Sequence, residues 1–594
     1  MLTPAGDPRA AGLATESRLR PDPPPVEPAP AATQRQRALE RAGRLPPRDL
    51  ITDDLDRFAA ERPGKVAVVD GSRGNQAVCD FAGLRSRVER VAHGLVEAGV
   101  RPGEPVAFQL PNWWEFVALQ LALVRIGAVS CPLMPIFRER ELTFVLRQTG
   151  ARVLVVPDRF RKTDHVALAA SIAPHLPDLR AVYVVAGGEA AAGGGGGAGG
   201  QRSGRGADDL FRAFDDLLGA EPPRGGLDGR RPAPDDITQL LYTSGTTGEP
   251  KGVLHTHRTL MDALDLHVRH FGLGGEDVVF VPSPAAHQTG FLYGFWLALR
   301  LGATAVYQDL WSGEVGHGLM DQWGVTFVQA ATPFLADLCE AAARRGRGPA
   351  RLRMFVATGA SVPRALARQA QGRLHAMVAG AFGTTESGLI TAGAPEDPSD
   401  RAWQTDGRLL PGAGMRVVDE AGQDLPAGHQ GRLLVSSPGM FVGYLGHPEW
   451  HDRALGGGQW LATGDLAVID ADGYMSIKGR SKDVINRGGE KIPVAEVENL
   501  LYAHPAVAEA AVVAMPDPRF GERACAYLVP RAGQRVALAD IQRHLEAAGM
   551  AKQYWPERVE LVDALPRTPS GKVQKFVLRD RIAATLAGEA RREA

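Results

Sequence analysis

LLYTSGTTGEPKG, running from Leu240 to Gly252, changes character twice. Two leucines and Tyr242 end a strand of the kind that is buried. Small hydroxyl residues and glycines follow, and then Lys251. Gly245 and Gly248 let the backbone turn tightly and come close to a ligand. Thr243, Ser244, Thr246 and Thr247 put hydroxyls on that turn, and Lys251 adds a point charge. Hydroxyls, free amides and an ammonium suit a polyphosphate. The spacing is G-x-x-G-x-x-K-G, not the G-x-x-x-x-G-K-[ST] of the Walker loop, so a P-loop NTPase fold does not follow. A run of Gly, Ser and Thr alone is usually an ordinary surface loop. The lysine at a fixed distance makes this one specific.

The flanking chain reads as alternating strands and helices. Val106–Pro111 is a candidate buried strand, Trp114–Gly127 a helix ending at glycine, and Ala151–Pro157 another short apolar strand. That order predicts a parallel sheet with crossover helices. Asp277–Pro284 is a further strand, and the turn Ala285–Gly290 (AAHQTG) leads into a largely buried helix, FLYGFWLALRLGA. Arg353–Ser361 and Val378–Gly388 each read as a strand running into a small-residue loop. Near the C-terminus, Glu496–Tyr502 begins a helix, Val507–Ala514 is a strand and Ala537–Ala548 a helix. The fold class is therefore α/β, with a large N-terminal domain of mixed sheets with crossover helices and a small α+β C-terminal domain. The expected division is a disordered Pro/Ala-rich leader at 1–48, a large domain at 49–481 and a C-terminal domain at 482–594. Residues 187–206, GGEAAAGGGGGAGGQRSGRG, are a low-complexity insert in the large domain.

Composition narrows the class. A chain of 594 residues exceeds what one core serves, so more than one domain is expected. A net charge of -1 gives no polybasic surface for nucleic acid or anionic lipid. Cys79, Cys131, Cys339 and Cys525 lie far apart without a C-x-x-C pair, which argues against a disulfide framework or zinc site and fits a reducing cytoplasm. No apolar run has the length of a membrane span.

YTSGTTGEPKG resembles the phosphate-binding signature of the adenylate-forming superfamily, which comprises acyl-CoA synthetases, adenylation domains and luciferases. Further motifs follow in that family's order from about Ile51 to Arg581. The resemblance implies ATP, Mg²⁺ and coenzyme A as the reactants and cofactor, with ATP phosphates held by Thr243–Gly248 and Lys251. It implies an adenine site built from Gly359, Ala360, Ser361, Ala381, Phe382, Gly383 and Thr384. Thr385 and Glu386 would be catalytic, with Glu386 the Mg²⁺ ligand, since a carboxylate facing a triphosphate needs a hard cation between them. In WLATGDL, Asp465 would bind the ribose, with Arg480 beside it. Lys482 falls at the hinge position. Gly488 and Gly489 fall at the path of the incoming thiol. Lys572, in PRTPSGKVQK, matches the catalytic lysine, although a lysine after Ser-Gly is by itself an ordinary turn charge.

His287, Gln288 and Thr289 match the turn that lines the acyl pocket, although a lone histidine there is commonly structural. Amino-acid-activating members carry Asp at the position of Gln288, and dihydroxybenzoate ligases carry Asn. Gln288 argues against an α-amino acid and weakens the dihydroxybenzoate reading. PSPAAHQTGFLYG and MAKQYWPERVE look most like bacterial short- and medium-chain or cyclohexanecarboxylate CoA ligases. The expected partners are a small carboxylic acid, ATP and CoA, for a monomer or homodimer. Three rivals stay open: a ligase that loads a carrier-protein phosphopantetheine, a luciferase-like oxygenase, and a non-catalytic nucleotide sensor.

Overall fold

The computed structural model describes residues 23–24, 26–34, 49–72, 77–187, 210–219, 225–227, 229–243, 250–359, 362–480, 483–488, 490–568 and 571–593. Two large sheets dominate the N-terminal part. Among the described residues the first has nine strands. From Met377–Thr384 through Met354–Ala357, Phe327–Ala330, Val278–Val281 and Thr304–Tyr307 to Val66–Asp70 every pairing is parallel. Antiparallel strands close both edges. The second has eight strands, with Ile237–Thr243 beside Val129–Pro132 on one side and Lys251–Thr256 on the other.

The two sheets share one core. Val106 and Phe108 face it, while Ala107 between them belongs to the core on the sheet's other side, as the two-residue period of a strand requires. The helix Trp114–Arg125, WEFVALQLALVR, is apolar nearly all round and lies inside that core. Val253, Leu433 and Val435 belong to a further core that joins the eight-stranded sheet to a four-stranded antiparallel sheet. The C-terminal part is smaller and α+β. Val507–Asp517 and Gly521–Pro530 form its long hairpin, with the helices Val494–Ala503 and Leu538–Ala547 sharing its core. All four cysteines are buried and free. Among the described residues no helix is long and apolar enough to cross a membrane.

One expectation is met with a local departure and one needs correction. The segment after Gly290 is the largely buried helix expected, in two geometries. Phe291–Trp296 is π-helical, and α-helical geometry resumes only over Leu297–Leu301. A Cβ at Gly290 would stand 2.4 Å from the carbonyl oxygen of Pro284, so the chain enters this helix through a passage only glycine fits. The leader is also not wholly free. A Cβ at Gly150 would lie 2.6 Å from Pro23, and Ala29 donates its N–H to the carbonyl of Val442 at 2.7 Å. Ala29 is buried there. Residues 1–22 and 35–48 lie outside the described residues, as does 188–209 of the glycine-rich insert.

Candidate active site

The strand expected before the motif is Ile237–Thr243, and it pairs antiparallel with Lys251–Thr256, which sequence reading did not assign as a strand, with Thr243 opposite Lys251. Ser244, Gly245, Thr246, Thr247 and Gly248 lie outside the described residues. Lys251 Nζ sits 5.3 Å from the ring centroid of Tyr444 and 5.1 Å from that of Trp450. This aromatic corner holds an ammonium by its ring faces. Tyr444 Oη also donates to Glu386 Oε1 at 3.0 Å, which ties this corner to the turn at 384–387.

That turn is braced from several sides. Thr384 and Ser387 bond each other through side chain and backbone. His255 Nε2 donates to the carbonyl of Thr385 at 2.7 Å, and burial lowers the pKa of His255 to about 4, so the ring is neutral. Phe441 N–H bonds the Glu386 carbonyl. Just before the turn, Ala381 is buried and Phe382 is half-buried. Phe382 packs against the core under the four-stranded sheet. Gly383 has the Gly388 carbonyl 2.5 Å from where a Cβ would be. Gly359 faces the same region, but Ala360 and Ser361 lie outside the described residues.

Asp465 and Arg480 are cross-strand partners in the four-stranded sheet, with Oδ1 to Nε at 3.1 Å. Asp465 is 4% exposed, and its Oδ2 is buried with no hydrogen-bond partner among the described residues. Burial pushes this carboxyl above its ordinary range. Arg480, a bond from Thr463 and Lys572 oppose the shift. A buried carboxylate oxygen left unpaired is costly unless a donor arrives.

Lys572 comes from the other end of the chain. Its loop closes on itself, with Thr568 N–H to the Lys572 carbonyl at 2.7 Å and Lys572 N–H to Thr568 Oγ1 at 3.1 Å. Arg567 clamps it, bonding the Gly571 carbonyl at 2.6 Å and Glu509 at 2.8 Å. Gly571, at φ +88°, lies against the large domain, where a Cβ would be 3.3 Å from Ala331. Lys572 Cε is 3.9 Å from the Cβ position of Gly359. Burial lowers the pKa of the ammonium and so does Arg480, while Asp465 and Glu386 raise it. The fold thus brings Asp465, Arg480 and Glu386 within electrostatic reach of Lys572. His287 belongs to the same group: burial and then the Lys572 charge lower its pKa to about 3.

The turn at 285–290 is held by Asn112. Asn112 donates to the carbonyls of Val281, Ser283 and Gln308 and accepts from Ala285 N–H at 2.7 Å. His287 Nδ1 accepts from Thr289 N–H at 3.3 Å. Gln288 is turned inward and buried, bonded to Gln239. The contacts of Gly488 are instead with Phe520 of its own domain. Gly489 and Lys482 lie outside the described residues. Sequence reading missed Asn112, Tyr444 and Gln239. The one available signal was a polar residue inside an otherwise apolar strand or strand end.

The AMP-binding enzyme family matches residues 55–445, and the AMP-binding enzyme C-terminal domain matches residues 496–572. The chain belongs to the AMP-binding enzyme family. It is thus an adenylate-forming enzyme, an AMP-forming acid–thiol ligase. It is 34% identical to the medium-chain fatty-acid–CoA ligase of Escherichia coli K12, over 90% of this chain and 91% of that one. It is also 34% identical to a Streptomyces salicylyl-CoA synthase / salicylate adenylyltransferase, over 89% and 92%. The crystal structure of an anthranilate CoA ligase in complex with anthranoyl-AMP superposes with a TM-score of 0.79 at 25% identity, covering 92% of this chain and 99% of that one.

Proposed function

We propose that the chain is a CoA ligase for an uncharged medium-chain or alicyclic carboxylic acid. The observation that supports it is the convergence of Lys572, from the small domain, on Asp465, Arg480 and Glu386 of the large one. Family membership and 34% identity to a medium-chain ligase support it further. Phe291 and Leu292 beside the acyl turn are buried and apolar, and the turn itself, AAHQTG, carries no carboxylate, lysine or arginine.

A carboxylate oxygen attacks the α-phosphorus of ATP, the α–β anhydride breaks, and pyrophosphate leaves. Asp465 Oδ2 accepts from the ribose hydroxyls and fixes the nucleotide. Arg480 neutralises Asp465 and reaches the α-phosphate side. Lys251 and the hairpin loop hold the outer phosphates. Lys572 bridges the acyl carboxylate and the α-phosphate, where charge develops. Such positioning and preorganised charge carry most of a phosphoryl or adenylyl transfer. Glu386 suits Mg²⁺, because Oε1 is oriented by Tyr444 while Oε2 remains for a cation that keeps most of its waters. Bound there, the ion would neutralise phosphate charge.

In the second step the CoA sulfur attacks the acyl carbonyl and AMP leaves. We infer that the small domain turns between steps, with Lys482 as hinge, because the Lys572 loop stands against the large domain while the contacts of Gly488 lie within its own domain. Lys482→Pro is expected to slow thioester formation while pyrophosphate exchange continues. Equal loss of both half-reactions would remove Lys482 from that role.

The decisive test is mass spectrometry of purified protein with ATP, Mg²⁺ and a panel of acids, with and without CoA. Acyl-CoA and AMP appearing together for medium-chain or alicyclic acids would bear the proposal out. Acyl-AMP that CoA does not consume would overturn the CoA assignment and point to a carrier-protein thiol.

A further inference from the structure

Gln239 lies in the middle of Ile237–Thr243 and is fully buried, as is Ser130, its register partner on the adjacent parallel strand. Register partners present their side chains to the same face of a sheet. Gln239 Nε2 donates to Gln288 Oε1 at 3.2 Å, so an amide pair spans from the sheet to the acyl turn. The other end of that amide, Gln239 Oε1, has no hydrogen-bond partner among the described residues, and neither has Ser130 Oγ. Phe291 and Leu292, which follow that turn, are buried and apolar. An alanine or leucine at 239 would avoid the penalty of about 1–3 kcal/mol that an unpaired buried polar group carries. Exchanging oxygen and nitrogen on both amides keeps the pair and still leaves one end of Gln239 unpaired.

We propose that this polar ledge reads a hydroxyl on the acid, so that the substrate class is a hydroxy-substituted medium-chain or alicyclic acid. A hydroxyl both donates and accepts, and so can serve the free end of the amide and Ser130 Oγ together. The inference rests on the reading of 285–290 as the acyl turn of an acid ligase. A site built to bond a substrate hydroxyl rejects the analogue that lacks it, because its own polar groups are then left unpaired.

The test is kcat/KM for pyrophosphate release, measured with cyclohexanecarboxylic acid against its 2-, 3- and 4-hydroxy derivatives and with octanoic against 3-hydroxyoctanoic acid. At least one hydroxy acid is expected to exceed its parent by about tenfold or more. In Gln239→Leu that ratio is expected to fall toward one. Gln288→Ala reads the same ratio should the first variant not fold. Parent acids used as well as or better than every hydroxy acid by the wild type would overturn the proposal. So would an unchanged ratio in both variants. Pyrophosphate release from none of the acids would overturn the ligase reading itself.

Discussion

The two halves of the site are built differently. The half proposed for the nucleotide is charged, with Asp465, Arg480 and Glu386 all acting on the buried Lys572 ammonium. The half proposed for the acyl group is neutral. His287 stays uncharged, and Gln239 and Gln288 meet as amides. Charges that act on the phosphates serve every acid alike, whereas neutral shape and hydrogen bonding discriminate between acids. Substitutions in the first half should therefore change the rate for all acids by one factor. Substitutions in the second should change which acid is preferred.

Lys572→Ala should test this most severely. Loss of one preorganised cation is expected to slow adenylation roughly 100- to 1000-fold, by the same factor for every acid that the enzyme accepts. Thiolation of a supplied acyl adenylate should survive. Pyrophosphate exchange and thioester formation from synthetic acyl-AMP separate the two. Full adenylation by the variant would remove Lys572 from its role, and a loss that varied strongly with the acid would blur the division between the halves.

Asp465→Asn should come next. It keeps the shape and removes a charged acceptor, and hydrogen bonds to charged groups are worth about 1.5–3 kcal/mol. The KM for ATP should rise by roughly ten- to a hundredfold on that basis, with the KM for the acid little changed. A rise confined to the acid would place Asp465 in the wrong half.

Lys572, Asp465 and Glu386 could be singled out because each sits in a short string that resembles a family motif, and the fold brings the last two within electrostatic reach of the first. Taken alone, a lysine after Ser-Gly or an aspartate after Gly464 would be an ordinary turn residue. The residues that escaped notice act across the fold. Asn112 holds carbonyls at Val281, Ser283 and Gln308. Tyr444 reaches Glu386, and Gln239 reaches Gln288. No local pattern announces such pairs, because each depends on which strands become neighbours. The π-helical turn at Phe291–Trp296 was unreadable for a similar reason. Its residues are as apolar as those of an ordinary buried helix, and the geometry is imposed where Gly290 passes the Pro284 carbonyl. The leader misled in the opposite sense. Proline-rich chain has little entropy to lose on ordering, so Pro23 and Ala29 can settle on the body without a large apolar face of their own.

A smaller, global effect should follow from buried histidines under both halves. His255 braces Thr385, His267 bonds Gln329 at 2.6 Å, and His165 bonds Gln109 at 3.0 Å. Burial lowers their pKa values from 6.5 to about 4, about 3 and about 4. The unfolded chain therefore binds protons between pH 6.5 and 4 that the folded chain does not. Stability is complete above pH 6.5 and falls as the pH drops through that window, by up to about 1.4 kcal/mol per pH unit for each histidine. Melting temperatures taken from pH 7 to 4.5 should show the fall, and His255→Gln should flatten it. A melting temperature that does not change over this range would mean that the rings are not held neutral.

The finest test lies at the corner where Tyr444 serves two charges at once. Its hydroxyl orients Glu386, and its ring faces Lys251. Tyr444→Phe removes only the hydroxyl. One hydrogen bond of about 0.5–1.5 kcal/mol corresponds to a loss of roughly two- to tenfold in adenylation. The loss should shrink as Mg²⁺ is raised, because a less firmly oriented Glu386 can be offset by mass action. Tyr444→Leu removes the ring face as well and should add a rise in the KM for ATP that Mg²⁺ does not recover, since Lys251 then loses part of its seat. If the two variants behave identically, the ring does not hold Lys251, and the lysine's position depends on Trp450 alone. If either variant alters the ranking of acids, Tyr444 belongs to both halves, and charge and selectivity are coupled through this residue.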